Sequence, residues 1–399
     1  MKQAPRGKQL QRQPIRPEIG IYLHWPFCQS KCPYCDFNSH VTASVDHMRW
    51  GDALTAELRR HHTEMPDADV SSIFFGGGTP SLMPAELVDR LLTCIGDLWG
   101  LPSSTEITLE ANPSSVERAR FEDFRRAGVN RISIGVQALD DGALRQLGRL
   151  HSAEDARRAL NIALETFPRV SADLIYARQH QTTAAWEREL HDALMLGTSH
   201  LSLYQLTIED GTVFGKRHEQ GRLPGLPSDD LAAEQYELTQ AMCEAAGRPA
   251  YEISNHAVPG DECRHNLIYW RCGTFLGIGP GAHGRLDLGG QRFSTIAHHA
   301  PGAWLNAVET IGNGDSERAL LPRSEIADEF LLMGIRLSEG VRIDTYEALA
   351  GKKIAHQTLS DLVHHGFIIW SNDRVALTQS GRLLANTIIA RLATDPSLV

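Results

Sequence analysis

What is scarce in these 399 residues excludes a good deal. No apolar run approaches the roughly 18 residues needed to cross a bilayer, so a membrane span is out. Positive charge is in deficit: 39 Lys and Arg against 49 Asp and Glu leave a formal charge of −10. A general nucleic-acid binder needs the opposite balance, because it must neutralise phosphates. Cysteine is sparse, seven in all, and odd in number, which excludes a secreted disulfide scaffold. With 42% hydrophobic and 22% charged residues the mixture is ordinary for a globular protein, so collagen-like, coiled-coil and wholly disordered chains are excluded too. At about 150 residues per domain, two or three domains are expected, or one large α/β domain with an appendage. What remains is a soluble, cytoplasmic protein whose cysteines can do chemistry. Eighteen histidines favour metal-ligand chemistry without locating it.

Residues 1–17 carry five basic side chains (Lys2, Arg6, Lys8, Arg12, Arg16), no acidic one, three prolines and four glutamines. There is no apolar core of a secretory signal. Residues 1–18 are expected to be a disordered basic tail, with contact to an anionic membrane surface as the lesser reading. From Ile19 onward, short β-rich runs alternate with longer amphipathic stretches. The strand-like runs are 21–24, 72–75, 106–109, 131–134, 170–175 and 200–206. Helical patterns run from about Val45 to His62, from Pro84 as first helical residue, from a cap at Ser114 or Ser115 to Gly128, and over 152–166, 183–196 and 229–246. Six β-then-α units predict a parallel sheet, either a partial, open TIM-like barrel over 19–260 or a doubly wound open sheet.

The ends of these strands hold residues that pack poorly and bind well. They are the cysteine run 28–35, Gly76-Gly77-Gly78-Thr79-Pro80, Glu110-Ala111-Asn112-Pro113, Gly135-Val136-Gln137 and Asp173. Sites in parallel α/β folds lie at the carboxyl ends of the strands. Cys28, Cys32 and Cys35 have the spacing C-x3-C-x2-C on one short loop, which can ligate three irons of a 4Fe–4S cluster and leave the fourth open. Zinc with His24 or His40 as fourth ligand is the competing assignment. Zinc sites usually pair a C-x2-C with a second pair further on, and none follows. Missing side chains at Gly76–Gly78 would let backbone groups approach a ligand closely.

The cysteine loop, with the aromatic Tyr34 before its third cysteine, resembles the signature of the radical S-adenosylmethionine (SAM) superfamily. There the open iron chelates the amino and carboxylate groups of SAM, and electron transfer from the cluster cleaves the sulfonium. The wording of the runs 21–28, 76–82, 109–113, 133–137 and 173–176 resembles oxygen-independent coproporphyrinogen III oxidases and their relatives, over nearly the whole chain from residue 19. The resemblance implies that Tyr22, Tyr34, Gly77, Gly78, Thr79, Glu110, Gln137, Arg149 and Asp173 contact SAM. Each has a plainer reading as well: Arg149 as a helix-end ion pair, Asp173 and Glu110 as caps. After Tyr176 that family commonly continues Gly-Leu-Pro, whereas this chain has Ala177-Arg178-Gln179-His180. The loop is expected to take another path, since Ala and Arg resist positive φ.

Two features separate the chain from the oxidases. Cys35 is followed by Asp36 and Phe37, so the usual fourth cysteine is absent. His265-Asn266-Leu267-Ile268-Tyr269-Trp270 is similar to the H-N-x-x-Y-W pattern of HemW-type haem chaperones. That resemblance implies a loop-borne His265 as axial haem ligand, with Asn266, Tyr269 and Trp270 around the porphyrin. The plainer reading is a buried turn whose polar groups satisfy the backbone. The implied cofactors are a 4Fe–4S cluster, SAM and haem. The implied partners are acceptor haemoproteins of the respiratory chain, and an electron donor if SAM is cleaved. Oxidative decarboxylation of coproporphyrinogen III is the competing activity, and a zinc-stabilised binding protein the third. No C-x-x-C-H supports covalent haem attachment. Residues 261–322 are expected to be an irregular extension. Residues 323–399 are expected to form a mainly helical, winged-helix-like domain with a hairpin about Ser371-Asn372-Asp373. Residues 354–365 lack Arg and Lys, so that domain reads as a packing module and not a DNA reader.

Overall fold

Runs of β-branched and aromatic residues, buried on both faces, make the strands that organise the molecule. The computed structural model describes residues 16–115 and 118–393. The expected tail therefore falls, up to residue 15, outside the described residues. Six parallel strands follow in chain order: β1 (Glu18–Trp25), β2 (Asp69–Gly77), β3 (Glu106–Ala111), β4 (Arg131–Gln137), β5 (Arg169–Tyr176) and β6 (His200–Gln205). Each pairs with the next in order, for example Ile21 with Ile73, Ile73 with Ile107 and Ile132 with Val170. Helices pack between and behind them, as parallel sheets require. Their starts are encoded locally. Asp46 caps His47–Glu64, and Ser152 forms a capping box with Asp155 at Ala153–Thr166. Pro84 stands just before the helix Ala85–Trp99 and not inside it.

The sheet does not stop at six strands. Asn255–Ala257 joins β6 antiparallel. At the other edge Thr274–Ile278 lies parallel to β1, followed by the antiparallel strands His283–Leu288, Gln291–Ala297 and Asp315–Leu320. The result is one open, mostly parallel sheet of eleven strands with β1–β6 curved about the site. This corrects the expectation of an irregular extension over 261–322. Its glycines look like loop punctuation but serve close approach: a Cβ on Gly277 would meet the His283 carbonyl at 2.0 Å, and one on Gly284 the Thr295 hydroxyl at 2.5 Å. The C-terminal part has a core of its own, around Leu331, Tyr346, Leu362 and Ile388. It holds the helices Arg323–Gly334, Ile343–Ala350 and His356–His364 and the hairpin Ile368–Ser371 with Arg374–Leu377. No helix among the described residues is long and apolar enough to cross a membrane.

Candidate functional site

A cavity of about 430 Å³ opens at the carboxyl ends of β1–β6. The loop after β1 brings Cys28, Cys32 and Cys35 to its mouth, and the turn after β2 brings Gly77, Gly78 and Thr79. Glu110 ends β3, Gln137 ends β4, Asp173 lies on β5, and Arg149 follows the short helix Asp141–Gln146. Eleven of the twelve residues expected at the cluster and SAM positions line this one cavity. The exception is Tyr22. Its phenol meets His24 Nδ1 at 3.0 Å and borders a deeper, smaller chamber. The deeper chamber also touches Glu110 and Asp173, so Tyr22 lies behind two carboxyls that line the larger cavity as well.

The three thiols are spread around a space, each with its own neighbour. Thr79 Oγ1 reaches Cys28 Sγ at 3.4 Å, Arg149 Nη1 reaches Cys32 Sγ at 3.5 Å, and Ser39 Oγ lies 4.0 Å from Cys35 Sγ. Burial pushes the Cys28 and Cys35 thiols above their ordinary pKa. Among the described residues no three His, Cys, Asp or Glu side chains converge on one point, as a single ion needs. His24 has both ring nitrogens engaged, by Tyr22 and by the Asn38 carbonyl at 2.8 Å, and His40 Nε2 is bonded to Asn38 Oδ1. His24 is therefore taken on both nitrogens, and among the described residues His40 does not join the cysteines in a metal-holding group. Three soft sulfur donors around a volume suit a multi-iron cluster.

The cradle beside them admits only glycine. Gly77 has φ +109°, and a Cβ there would stand 2.5 Å from the His24 ring. A Cβ on Gly78 would strike the Phe27 carbonyl oxygen at 2.7 Å. Across from the glycines, Glu110 accepts a hydrogen bond from the Gly77 amide at 3.2 Å. Burial, and then repulsion from Asp173, still push the Glu110 carboxyl up to about 8. Burial likewise raises Asp173, against hydrogen bonds from its serines. Two carboxyls held back from ionising, in a cavity rimmed by a guanidinium and three thiols, form a receptor for a zwitterionic, cationic molecule. The residues present thus fit both groups that the sequence implied.

Asp173 is held from behind by a chain that the sequence reading missed. Ser133 Oγ donates to its carboxylate at 2.9 Å and Ser171 Oγ at 3.1 Å. Ser171 meets His200 Nδ1 at 2.8 Å, and His200 Nε2 meets the Tyr251 hydroxyl at 3.0 Å. One hydroxyl has one proton, so His200 carries its hydrogen on Nδ1 and accepts from Tyr251. Burial drives the His200 pKa well down, which keeps the ring neutral. The available signal was a small polar residue inside each apolar strand run.

The loop 177–180 also departs from expectation. Ala177 adopts φ +55°, the left-handed region it was expected to resist, and His180 φ +59°, whereas Arg178 stays out of that region. The strain, about 1 kcal/mol for each such residue, is held by neighbours. Arg178 is buried in an ion pair with Glu189 and also donates to the Gln137 carbonyl, and the His180 amide donates to Gly225 O.

The expected haem group is not an accessible pocket. His265 lies on the helix Arg264–Trp270, not on a loop, and is 1% exposed. Its Nδ1 is bonded to Ser72 Oγ at 2.7 Å and its Nε2 to the Tyr269 hydroxyl at 2.6 Å. Phe74 stacks on it, and burial lowers its pKa to about 3. His265, Asn266 and Tyr269 border the deeper chamber of about 180 Å³, below the roughly 300–1,000 Å³ of small-molecule sites, and Trp270 does not line it. Glu106 explains the arrangement. Its buried carboxylate accepts the Arg264 and His265 amides and pairs with Arg169, clamping this helix to the base of the barrel. The motif is buried, as the plainer reading expected, but it is helical and the His265 ring is satisfied by two side-chain hydroxyls and not by backbone groups.

Comparison with known proteins bears on the same surfaces. Residues 22–193 match the family described as the radical SAM superfamily, and residues 321–384 match the HemN C-terminal domain. The "Heme chaperone HemW" of Escherichia coli is 36% identical over 94% of this chain and 97% of that protein. The chain belongs to the HemW family of radical SAM proteins. Another relative, the mouse "Radical S-adenosyl methionine domain-containing protein 1, mitochondrial", is 42% identical over 82% of this chain and 76% of that protein. The structure of coproporphyrinogen III oxidase (HemN) from Escherichia coli superposes with a TM-score of 0.80, at 23% identity, over 96% of this chain and 92% of that one. That likeness shows the open barrel and its C-terminal region as a shared fold. Membership in the radical SAM superfamily implies a 4Fe–4S cluster and SAM.

Proposed function

We propose that this protein is a haem chaperone that carries a 4Fe–4S cluster and SAM and passes haem to acceptor haemoproteins, respiratory cytochromes among them. The observation that carries the reading is the full-length relation to proteins named heme chaperones, 36% identical over 94% of the chain. In this reading Cys28, Cys32 and Cys35 hold the cluster. Gly77, Gly78 and Thr79 receive the methionine end of SAM through backbone and hydroxyl. Arg149 takes its carboxylate, and Glu110, Gln137 and Asp173 take its ammonium and ribose hydroxyls. Tyr34 closes the thiol side, and Tyr22 positions Glu110 from the deeper chamber. When bound, the cluster would supply an electron for cleavage of the sulfonium, and if SAM is cleaved an external electron donor would have to replenish it. Part-buried cluster thiols that must stay reduced suit a reducing compartment such as the cytoplasm.

The test has three readouts. Anaerobic reconstitution is expected to give about four iron and four sulfide per chain. Hemin addition is expected to give a Soret band, and haem is expected to move from the loaded protein to an apo-cytochrome. Coproporphyrinogen III with SAM and reductant is expected to yield no protoporphyrinogen; turnover there would overturn the chaperone reading in favour of the oxidase.

A further inference from the structure

With His265 enclosed, the haem reading is better served by another imidazole, and one stands beside the cysteine loop, outside the cavity lining. His299 stands between the strand Gln291–Ala297 and the helix Pro301–Ile311. It is exposed, and its ring makes no hydrogen bond among the described residues. Its backbone, by contrast, is tied down. Asn38 Nδ2 donates to the His299 carbonyl at 2.8 Å and to the Pro280 carbonyl at 2.9 Å, while Asn38 Oδ1 accepts from His40 Nε2 at 2.8 Å. Gly281 makes room for this, since a Cβ there would stand 2.4 Å from Asn38 Nδ2. One asparagine thus stitches the His299 turn to the cysteine loop, with the His40 and His299 rings 6.4 Å apart.

The surroundings match the remaining parts of a metalloporphyrin. Phe37 is 56% exposed and Val41 59% exposed, next to the loop that closes the cavity. Lone apolar side chains on a surface need no explanation, but two beside a cavity mouth and an exposed imidazole offer apolar contact to a ligand. Lys31 supplies a cation for a propionate, with its Nζ 3.3 Å from the Ser39 carbonyl. Lys31, Phe37 and Ser39 all line the mouth of the cavity. A bare metal ion would need at least a third ligand, which the described residues do not bring here. Haem needs one imidazole, because its own ring fills the equatorial positions.

We infer that haem docks on the rim of the cofactor cavity, over Lys31, Phe37, His40 and Val41, with His299 as its axial ligand. The inference rests on the haem reading above and gives it a location. A shallow seat suits a protein that must hand its cargo on, whereas His265 would have to give up its bonds to Ser72 and Tyr269 before it could ligate.

Hemin titration followed at the Soret band tests this on the full-length, cluster-loaded protein. His299→Ala is expected to weaken binding at least tenfold and shift the band, with the cluster absorbance unchanged as evidence of folding. Millimolar free imidazole is expected to restore the wild-type spectrum, which repair of a structural defect would not do. Lys31→Glu is expected to weaken binding about threefold or more, an effect that fades with added salt. Wild-type binding with an unaltered His299→Ala titration would overturn this site and leave the chaperone reading standing. No Soret change with the wild-type chain would overturn both.

Discussion

Glu110 offers the sharpest test of the site, because its charge state must change when a cation enters. In the free cavity its carboxyl sits at about 8, pushed there by burial and by Asp173. A sulfonium or ammonium nearby favours the ionised form, so binding lowers that pKa and expels a proton wherever the free group is protonated. The sign follows directly: affinity for SAM rises with pH up to about 8 and levels off above it. At pH 7, one unit below the free value, ionising Glu110 costs about 1.4 kcal/mol, a factor of about ten in affinity; at pH 6 the cost is about 2.7 kcal/mol. Asp173 is raised too, so the pair can release more than one proton. The assay is isothermal calorimetry of SAM binding between about pH 6 and about pH 9, in buffers of differing ionisation enthalpy. Glu110→Gln is expected to bind at least about tenfold more weakly at the alkaline end, from loss of a charged contact, and to show a much flatter profile. A wild-type affinity independent of pH, with no buffer-dependent heat, would refute the reasoning.

Other expectations are more local. Gly78→Ala drives a methyl group into the Phe27 carbonyl at 2.7 Å, so SAM binding should fall sharply while circular dichroism stays native and stability drops by about 1–3 kcal/mol. Ser171→Ala cuts the link between Asp173 and His200; with one buried partner lost, SAM affinity should weaken several-fold at unchanged iron content, by about 1–2 kcal/mol. Glu106→Gln leaves the buried Arg131 without the Glu106 charge, takes one of two carboxylates from the part-buried Arg169 and loosens the His265 helix; chemical denaturation should show a loss of about 3–5 kcal/mol. If His265 is structural, as its two hydrogen bonds indicate, His265→Ala should lower the melting temperature and keep the Soret band.

The parallel strands and the cavity-lining set were legible because they depend on local pattern, whereas the strand order, barrel-like or doubly wound, was left to the structure. Apolar runs bounded by glycine report buried strands, and polar residues just past them report the ligand-facing end of a parallel sheet. The strands at 274–278, 283–288, 291–297 and 315–320 were not legible, because a glycine that allows close backbone approach is written the same way as one that makes a turn. Ala177 was misjudged for a related reason: its positive φ is held by Arg178, Glu189 and Gly225, whose effect no local rule contains.

The sequence by itself determined the chemistry on offer: three thiols at C-x3-C-x2-C, a glycine cradle, two carboxylates and an arginine, all spaced along strand ends. Those choices are local, made by residue type and by a few neighbours along the chain. Only the tertiary structure decided which histidine faces outward. His265 and His299 are equivalent as letters, yet Ser72, Tyr269 and Phe74, more than 180 residues or only four residues away, close over the first, while Asn38 ties down the backbone of the second and leaves its ring open. Accessibility is set by what distant segments bury, and sequence spacing carries no record of that.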